Sequence, residues 1–181
     1  MADPAALVSV LRDEVDHLEP LCEEHRDPLR AACAADPAIW EMYLVSWFGP
    51  HFDATFETAM NGPGRAIFAA FAGGVLVGMT GYTNIFAAHA ALEIGMTYLA
   101  PEARGTGLNR RFKDLLLANA FAAGFRRAEF RVDTRNPRSQ AAMAKLGAVR
   151  EGVLRRNQVT WTGHARDTVI FSILADEWAA G

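Results

Sequence analysis

The sequence predicts an α+β fold, a single domain built on a mixed, mostly antiparallel twisted sheet with flanking helices. Three observations predict it. Helix-forming segments fill the first third of the chain, two apolar β-rich runs then meet at Gly73-Gly74, and from residue 90 strand-like and helix-like patterns alternate until two long strand-like runs close the chain. Strand, helix, strand in that order allows one parallel crossover inside the antiparallel frame. A length of 181 residues with 51% hydrophobic and 22% charged residues excludes disorder and is enough to bury a core without disulfides or a structural metal. The expected division is a weakly defined N-terminal segment at 1–14, one domain over 15–175 and a tail at 176–181.

The elements follow from local chemistry. Val15 to Leu21 reads as an edge strand. Asp27-Pro28 and Asp36-Pro37 each join a helix-capping residue to a proline that the first helical turn tolerates, which predicts helices at about 22–34 and 37–47. Trp40, Tyr43, Leu44, Trp47 and Phe48 follow helical spacing until Gly49-Pro50 breaks it, and a third short helix is expected at about 52–60. Strands at about 65–72 and 75–86 pair through Gly73-Gly74, a third runs from about 90 to 99, and Pro101 stops it. Over residues 107–123, Leu108, Phe112, Leu115, Leu116 and Ala120 line one helical face, with Arg110, Arg111, Lys113 and Asp114 largely away from it. Gly124 sits where a C-terminal cap belongs. Residues 126–133 alternate apolar and charged, a helix starts at Asn136-Pro137 and ends at Gly147, and strands at about 148–160 and 166–174 complete the chain.

Several function classes drop out on composition. The net charge of −3 argues against a general nucleic-acid binder. Ala66 to Leu92 carries no Asp, Glu, Lys or Arg, yet its glycines and polar residues divide it into strand-sized pieces, so no membrane span is expected. Cys22 and Cys33 read as buried thiols of a reducing, cytoplasmic compartment. His17, His25, His51, His89 and His164 show no ligand spacing, so no metal is expected. His89, just ahead of the strand at 90–99, is the histidine best placed to meet a substrate. The aromatic cluster of Trp40, Tyr43, Trp47, Phe48 and Phe52 reads first as core and second as a wall beside an acceptor. Apolar residues on both faces of 166–174 suggest cover by a helix or a partner on each face, and hence a homodimer.

The chemistry concentrates between Leu92 and Arg111. A strand ends, a short loop carries Arg104, Gly105, Thr106 and Gly107, and a helix begins at Leu108-Asn109. The first N–H groups of a helix lack intrahelical partners and its dipole favours negative charge there, so with Arg104, Arg110 and Arg111 nearby the segment describes an anion cradle, most simply for a phosphate or pyrophosphate. It is neither a Walker A loop nor a complete GxGxxG fingerprint.

Arg104-Gly-Thr-Gly-Leu-Asn109 resembles the [Q/R]-x-x-G-x-[G/A] signature of the GNAT superfamily of acyl-CoA N-acyltransferases, departing from it at Asn109. Glu93-Ile-Gly95, and Asn136-x-x-Ser139 followed by Lys145-Leu-Gly147, are similar to two further segments of that superfamily, in the branch of the ribosomal-protein N-terminal acetyltransferases. The resemblance spans roughly 15–175. It implies a GNAT-like domain in which the amides of Arg104 to Asn109 hold the pyrophosphate of acetyl-CoA. Tyr98 and Leu99 would meet the pantetheine arm through their main chain, and Asn136 and Ser139 would lie near the thioester. It implies acetyl transfer to a primary amine, either a protein N-terminus or a small amine, with Glu93 as the general base and Ser139 as a hydrogen-bond donor to the leaving sulfur. Two other readings stand beside it: a non-catalytic CoA-binding regulatory or scaffold module of the same fold, and another phosphate-ligand enzyme using the same helix N-terminus.

Overall fold

Gly73 and Gly74, both at positive φ, turn the chain tightly between β3 (Ala66–Ala72) and β4 (Val75–Phe86). Around this hairpin a computed structural model, describing residues 1–179, builds an eight-stranded sheet in the order β1-β2-β3-β4-β5-β6-β8-β7. The other strands are β1 (Leu11–Arg12), β2 (Asp16–Pro20), β5 (Ala91–Leu99), β6 (Arg127–Asp133), β7 (Val149–Val159) and β8 (Ala165–Leu174). Every neighbouring pair is antiparallel except β5 and β6, which run parallel and are joined through α3 (Leu108–Ala122). The apolar, charge-free stretch from Ala66 to Leu92 is thus β3, β4 and the start of β5, and among the described residues no helix is long and apolar enough to cross a membrane.

Two cores cover the two faces of the sheet. On the rear face α3 packs Phe112, Leu116, Leu117 and Ala120 against Leu92, Ile94, Ala128 and Phe130. On the front face α1 (Arg26–Ala34) and α2 (Phe52–Asn61), with Trp40 and Trp47, bury Met79 and Tyr98. Burying such aromatic side chains removes 150–250 Å² each from water, roughly 4–6 kcal/mol apiece at most. The aromatic cluster is therefore mainly core; Tyr43 is half-buried and Phe48 exposed.

Four expectations are corrected. The helix expected at 37–47 is a short 3₁₀ turn, Pro37–Met42, followed by irregular chain. Tertiary hydrogen bonds outweigh helical spacing there: the Trp40 indole donates to Cys33 O and the Tyr43 hydroxyl to Thr97 O. The strand at Asp16–Pro20 is not the edge, because the two-residue β1 lies outside it and buries Leu11. Cys33 is buried but Cys22 is exposed, and both thiols are free. Both faces of β8 are buried within this chain, Val169, Phe171 and Ile173 in the rear core and Thr168, Ile170 and Ser172 opposite, so its apolar pattern does not by itself call for a partner. Ala175–Ala179 form a helical turn, α5; residues 180–181 of the expected tail lie outside the described residues.

Candidate active site

The site begins with a break in sheet pairing. β5 and β6 share register only from Ala91/Arg127 to Glu93/Glu129, and beyond that point they separate. The cause is visible on the other side of β5. Pairing with β4 passes from Gly81↔Gly95 to Met79↔Tyr98, so Thr80 alone opposes Met96 and Thr97. This is a β-bulge, with Met96 at φ 48° in the left-handed region that non-glycine residues seldom enter. A bulge bends its strand, and here it turns the second half of β5 away from β6 to leave a wedge-shaped opening. Tyr43 braces the bulge from the front by donating to Thr97 O at 2.7 Å.

Glu93 stands at the apex of the wedge, with its side chain only 14% exposed. Asn84 Nδ2 donates to Oε2 at 2.7 Å, and Arg131 Nε lies 3.5 Å from the same oxygen. Oε1 has no hydrogen-bond partner among the described residues and rests over the bare face of Gly95, where a Cβ would stand only 2.9 Å away. Burial pushes the carboxyl pKa up, opposed by the Asn84 hydrogen bond and the Arg131 and Arg166 cations and reinforced by Glu129. A carboxylate with one tethered oxygen, one open oxygen and a raised pKa is suited to take a proton from an ammonium group.

The anion cradle lies at the far end of β5. Gly105 and Gly107 have φ of 78° and 88°, which explains why glycine is needed at both, and no atom stands within 4 Å of where a Cβ of Gly105 would be. Gly107 caps α3, and among the described residues the amides from Gly105 to Asn109 donate to no backbone carbonyl, Leu108 N–H alone reaching a side chain, Thr106 Oγ1 at 3.5 Å. Leu108 points its side chain into the core, so it offers its backbone alone. The three arginines are less available than expected. Arg110 pairs with Asp114 and Lys145 O, and Arg111 with Asp16. Arg104 donates from Nε to Leu99 O and from Nη1 to Asp36 at 2.5 Å, tying the loop back onto β5. Two buried polar atoms at this end remain without partners, Arg104 Nη2 and Asn109 Oδ1. An open glycine loop, amides free of backbone partners, an unsatisfied guanidinium nitrogen and an unsatisfied amide oxygen fit a ligand that combines anionic groups with a hydrogen-bond donor, as the pyrophosphate and pantetheine of CoA do.

Tyr98 and Leu99 lie on the diverging part of β5, but the Tyr98 side chain turns into the front core, where its hydroxyl donates to Ala32 O. Across the opening, α4 (Pro137–Leu146) starts just after β6. Asn136 Oδ1 accepts from the Ser139 N–H at 3.0 Å, so Asn136 acts as the helix cap. Ser139 sits half-buried in that first turn, its Oγ without a hydrogen bond among the described residues. His89 is exposed beside Arg126 and Leu174, at the end where β5 and β6 are still paired, away from the wedge. On the front side an open cavity of about 460 Å³ lies between residues 37–51 and the β7–β8 turn, lined by Glu41, Phe48, His51 and Trp161 among others.

Lys113 is misplaced by the sequence reading. It is 4% exposed and sits inside the sheet-facing side of α3. Its spacing to Leu116, Leu117 and Ala120 is three, four and seven residues, so helical periodicity alone put it on the buried face. Asn84 and Arg131 also escaped notice as site residues, since only strand pairing brings them to Glu93, and Tyr43, read in the sequence as part of the aromatic cluster, meets Thr97 only through a tertiary contact.

The acetyltransferase (GNAT) domain model matches residues 17–149, and the chain belongs to this family of acetyltransferases. A GNAT-family structure from Chromobacterium violaceum ATCC 12472 is 32% identical, with 99% of this chain and 91% of that one covered and a TM-score of 0.88. An acetyltransferase structure from T. thermophilus is 34% identical, covering 99% and 94%, also with a TM-score of 0.88. At fold level alone, a spermidine N-acetyltransferase from Vibrio cholerae, solved with CoA and spermine, is 17% identical over 92% of this chain and 99% of that one, with a TM-score of 0.76.

Proposed function

We propose that the protein moves an acetyl group from acetyl-CoA to a primary amine by direct attack of the amine on the thioester. The observation that carries this reading is Glu93: a buried carboxylate at the apex of the β5–β6 wedge, with Oε1 open and its pKa raised. Acetyl-CoA, when bound, supplies an electrophilic thioester carbonyl and a thiol leaving group. The chain supplies the rest. Amides of Gly105 to Asn109, with Arg104 Nη2, bind the anionic end; the main chain of Tyr98 and Leu99, on the side of β5 that no longer pairs with β6, meets the arm; Glu93 accepts the proton of the amine; and Ser139 Oγ donates to the departing sulfur. Positioning provides much of the acceleration. A microcin C7 self-immunity acetyltransferase of the same fold, MccE, was solved with acetyl-CoA and AMP, which supports the cofactor choice.

The acceptor is a protein N-terminus or a small amine. Likeness to the ribosomal-protein branch at Arg104 to Asn109 and Asn136 to Ser139 favours a peptide amine, and the cavity with Glu41 beside Phe48 and Trp161 suits a cationic group. Free Cys22 and Cys33 suit a cytoplasmic setting. We also infer a homodimer through β7, an edge strand exposing Val149, Val153, Leu154 and Val159.

The test is a panel of peptide N-termini and polyamines with acetyl-CoA, read by thiol release, for wild type and Glu93→Gln. The variant should lose about 10²–10⁴-fold in turnover near neutral pH with acetyl-CoA affinity unchanged, and the deficit should shrink as pH rises and the amine arrives deprotonated. Acetyl-CoA binding without thiol release for any amine would instead identify a non-catalytic module.

A further inference from the structure

We propose that Lys113 is a positioning residue of this site: from the rear of the sheet its amine holds the bulged segment Gly95–Thr97, and as an ammonium it helps keep Glu93 ionised. The inference rests on the reading of Glu93 as the base.

The geometry is specific. Lys113 Nζ donates to Thr97 Oγ1 at 2.6 Å and to Thr80 Oγ1 at 3.2 Å, and the two hydroxyls lie 2.8 Å apart. Thr80 and Thr97 are the residues between which register slips, so the lysine clasps the bulge from behind while Tyr43 braces it in front. Thr97 Oγ1 also reaches Gly95 O at 3.3 Å, the backbone on which Glu93 Oε1 rests. One consistent assignment has Thr97 donating to Gly95 O, Thr80 donating to Thr97, and two lysine N–H groups donating to the two hydroxyls. The third N–H of an ammonium is then left over, and Nζ lies 5.9 Å from the Phe130 ring centroid on β6, across the wedge. The side chain thus touches β4, β5 and β6 around the point where β5 and β6 part.

Among the described residues no carboxylate forms a contact ion pair with Lys113. A methionine or leucine would fill the same space without the cost of burying an amine, so packing alone does not explain a lysine here. Of the groups around its amine, Thr80, Thr97 and Phe130 are uncharged and Glu93 is the one charge that bears on it: burial pushes Lys113 down to about 7, and Glu93 supports its protonated form. Coupling between two titrating groups is reciprocal, so the ammonium favours the Glu93 carboxylate in turn, more weakly than Asn84, Arg131 and Arg166 do. The other groups facing Glu93 are Asn84 from β4, Glu129 and Arg131 from β6, and Arg166 from β8.

Two measurements test this. In ligand-free protein carrying ¹³C-labelled lysine, the Lys113 side-chain signal should titrate near neutrality, far below the ordinary ~10.4, and should move to lower pH in Glu93→Gln. In Lys113→Met, the acid limb of kcat/KM should move up by roughly half a pH unit to one unit, less than the 1–3 units of a contact pair. Activity then falls most below neutrality and recovers at high pH. A lysine signal titrating as in a free peptide, or one indifferent to Glu93→Gln, overturns the proposal, as does a Lys113→Met deficit equal at every pH. The labelled wild type needs no variant to fold. Full activity of Glu93→Gln would refute Glu93 as the base while leaving the lysine titration intact, so the two failures are distinct.

Discussion

Gly95→Ala tests the site with one methyl group. Gly95 lies in β5 at an ordinary negative φ, so alanine fits the backbone, and replacing a glycine at such a position stabilises by about 0.4–1 kcal/mol through the unfolded chain. The new Cβ would stand 2.9 Å from Glu93 Oε1 and 3.6 Å from its carboxyl carbon. Relief to the ~3.5 Å optimum for non-bonded heavy atoms needs a retreat of about half an ångström by the carboxylate. That shift is easy for a side-chain terminus and keeps the fold, but it moves the open oxygen of the base. Since a misplacement of about 1 Å can cost 10²-fold, half of that predicts a loss of roughly tenfold in kcat. Acetyl-CoA affinity by calorimetry should be unchanged and Tm equal or slightly higher. Wild-type turnover in a well-folded Gly95→Ala would show that Oε1 over Gly95 is not where the proton is taken. A loss of affinity as large as the loss in kcat would move the fault to the pantetheine path.

Three further outcomes follow from the same geometry. Gly107→Asp should abolish acetyl-CoA binding by calorimetry, while Gly107→Asn, which tolerates the same left-handed backbone at a cost of about 1 kcal/mol without adding charge, should keep part of the affinity. Lys113→Met should be more stable than wild type in urea melts at neutral pH. Because the folded-state pKa is depressed to about 7, the unfolded chain binds more protons between there and ~10.4, so wild-type stability rises with pH across that window and the gap to the variant narrows. Leu154→Lys should lower the mass seen by light scattering to that of a monomer if β7 forms the dimer contact; a wild type already monomeric at micromolar concentration removes the dimer.

Much of the fold was legible because its signals are local. Gly73-Gly74, the alternation of 126–133, and the caps at Asn136 and Gly147 each report a backbone conformation that neighbouring residues determine, and the elements lie close to where those signals put them. The segment 37–47 was misread because Trp40 and Tyr43 donate hydrogen bonds outside it, to Cys33 O and Thr97 O, and helical spacing within the segment does not report such contacts. The cradle was legible in outline, since glycines before a helix start announce positive φ and unpaired amides, but its charge was not. Arg104, Arg110 and Arg111 are neighbours in sequence, yet Asp36 and Asp16 reach Arg104 and Arg111 from distant segments, while Asp114 pairs with Arg110 one turn along α3, and little of their charge is left free. The same limit explains Lys113. A lysine beside Arg110 and Arg111 reads as solvated charge until its register with Leu116, Leu117 and Ala120 is given more weight than its chemistry, and the reason an amine can occupy that register is the pair of threonine hydroxyls that the β5 bulge brings to face it. The irregularity that opens the wedge is thus also what makes room for the buried cation, so loss of the bulge should remove both the opening and the site's rear charge together.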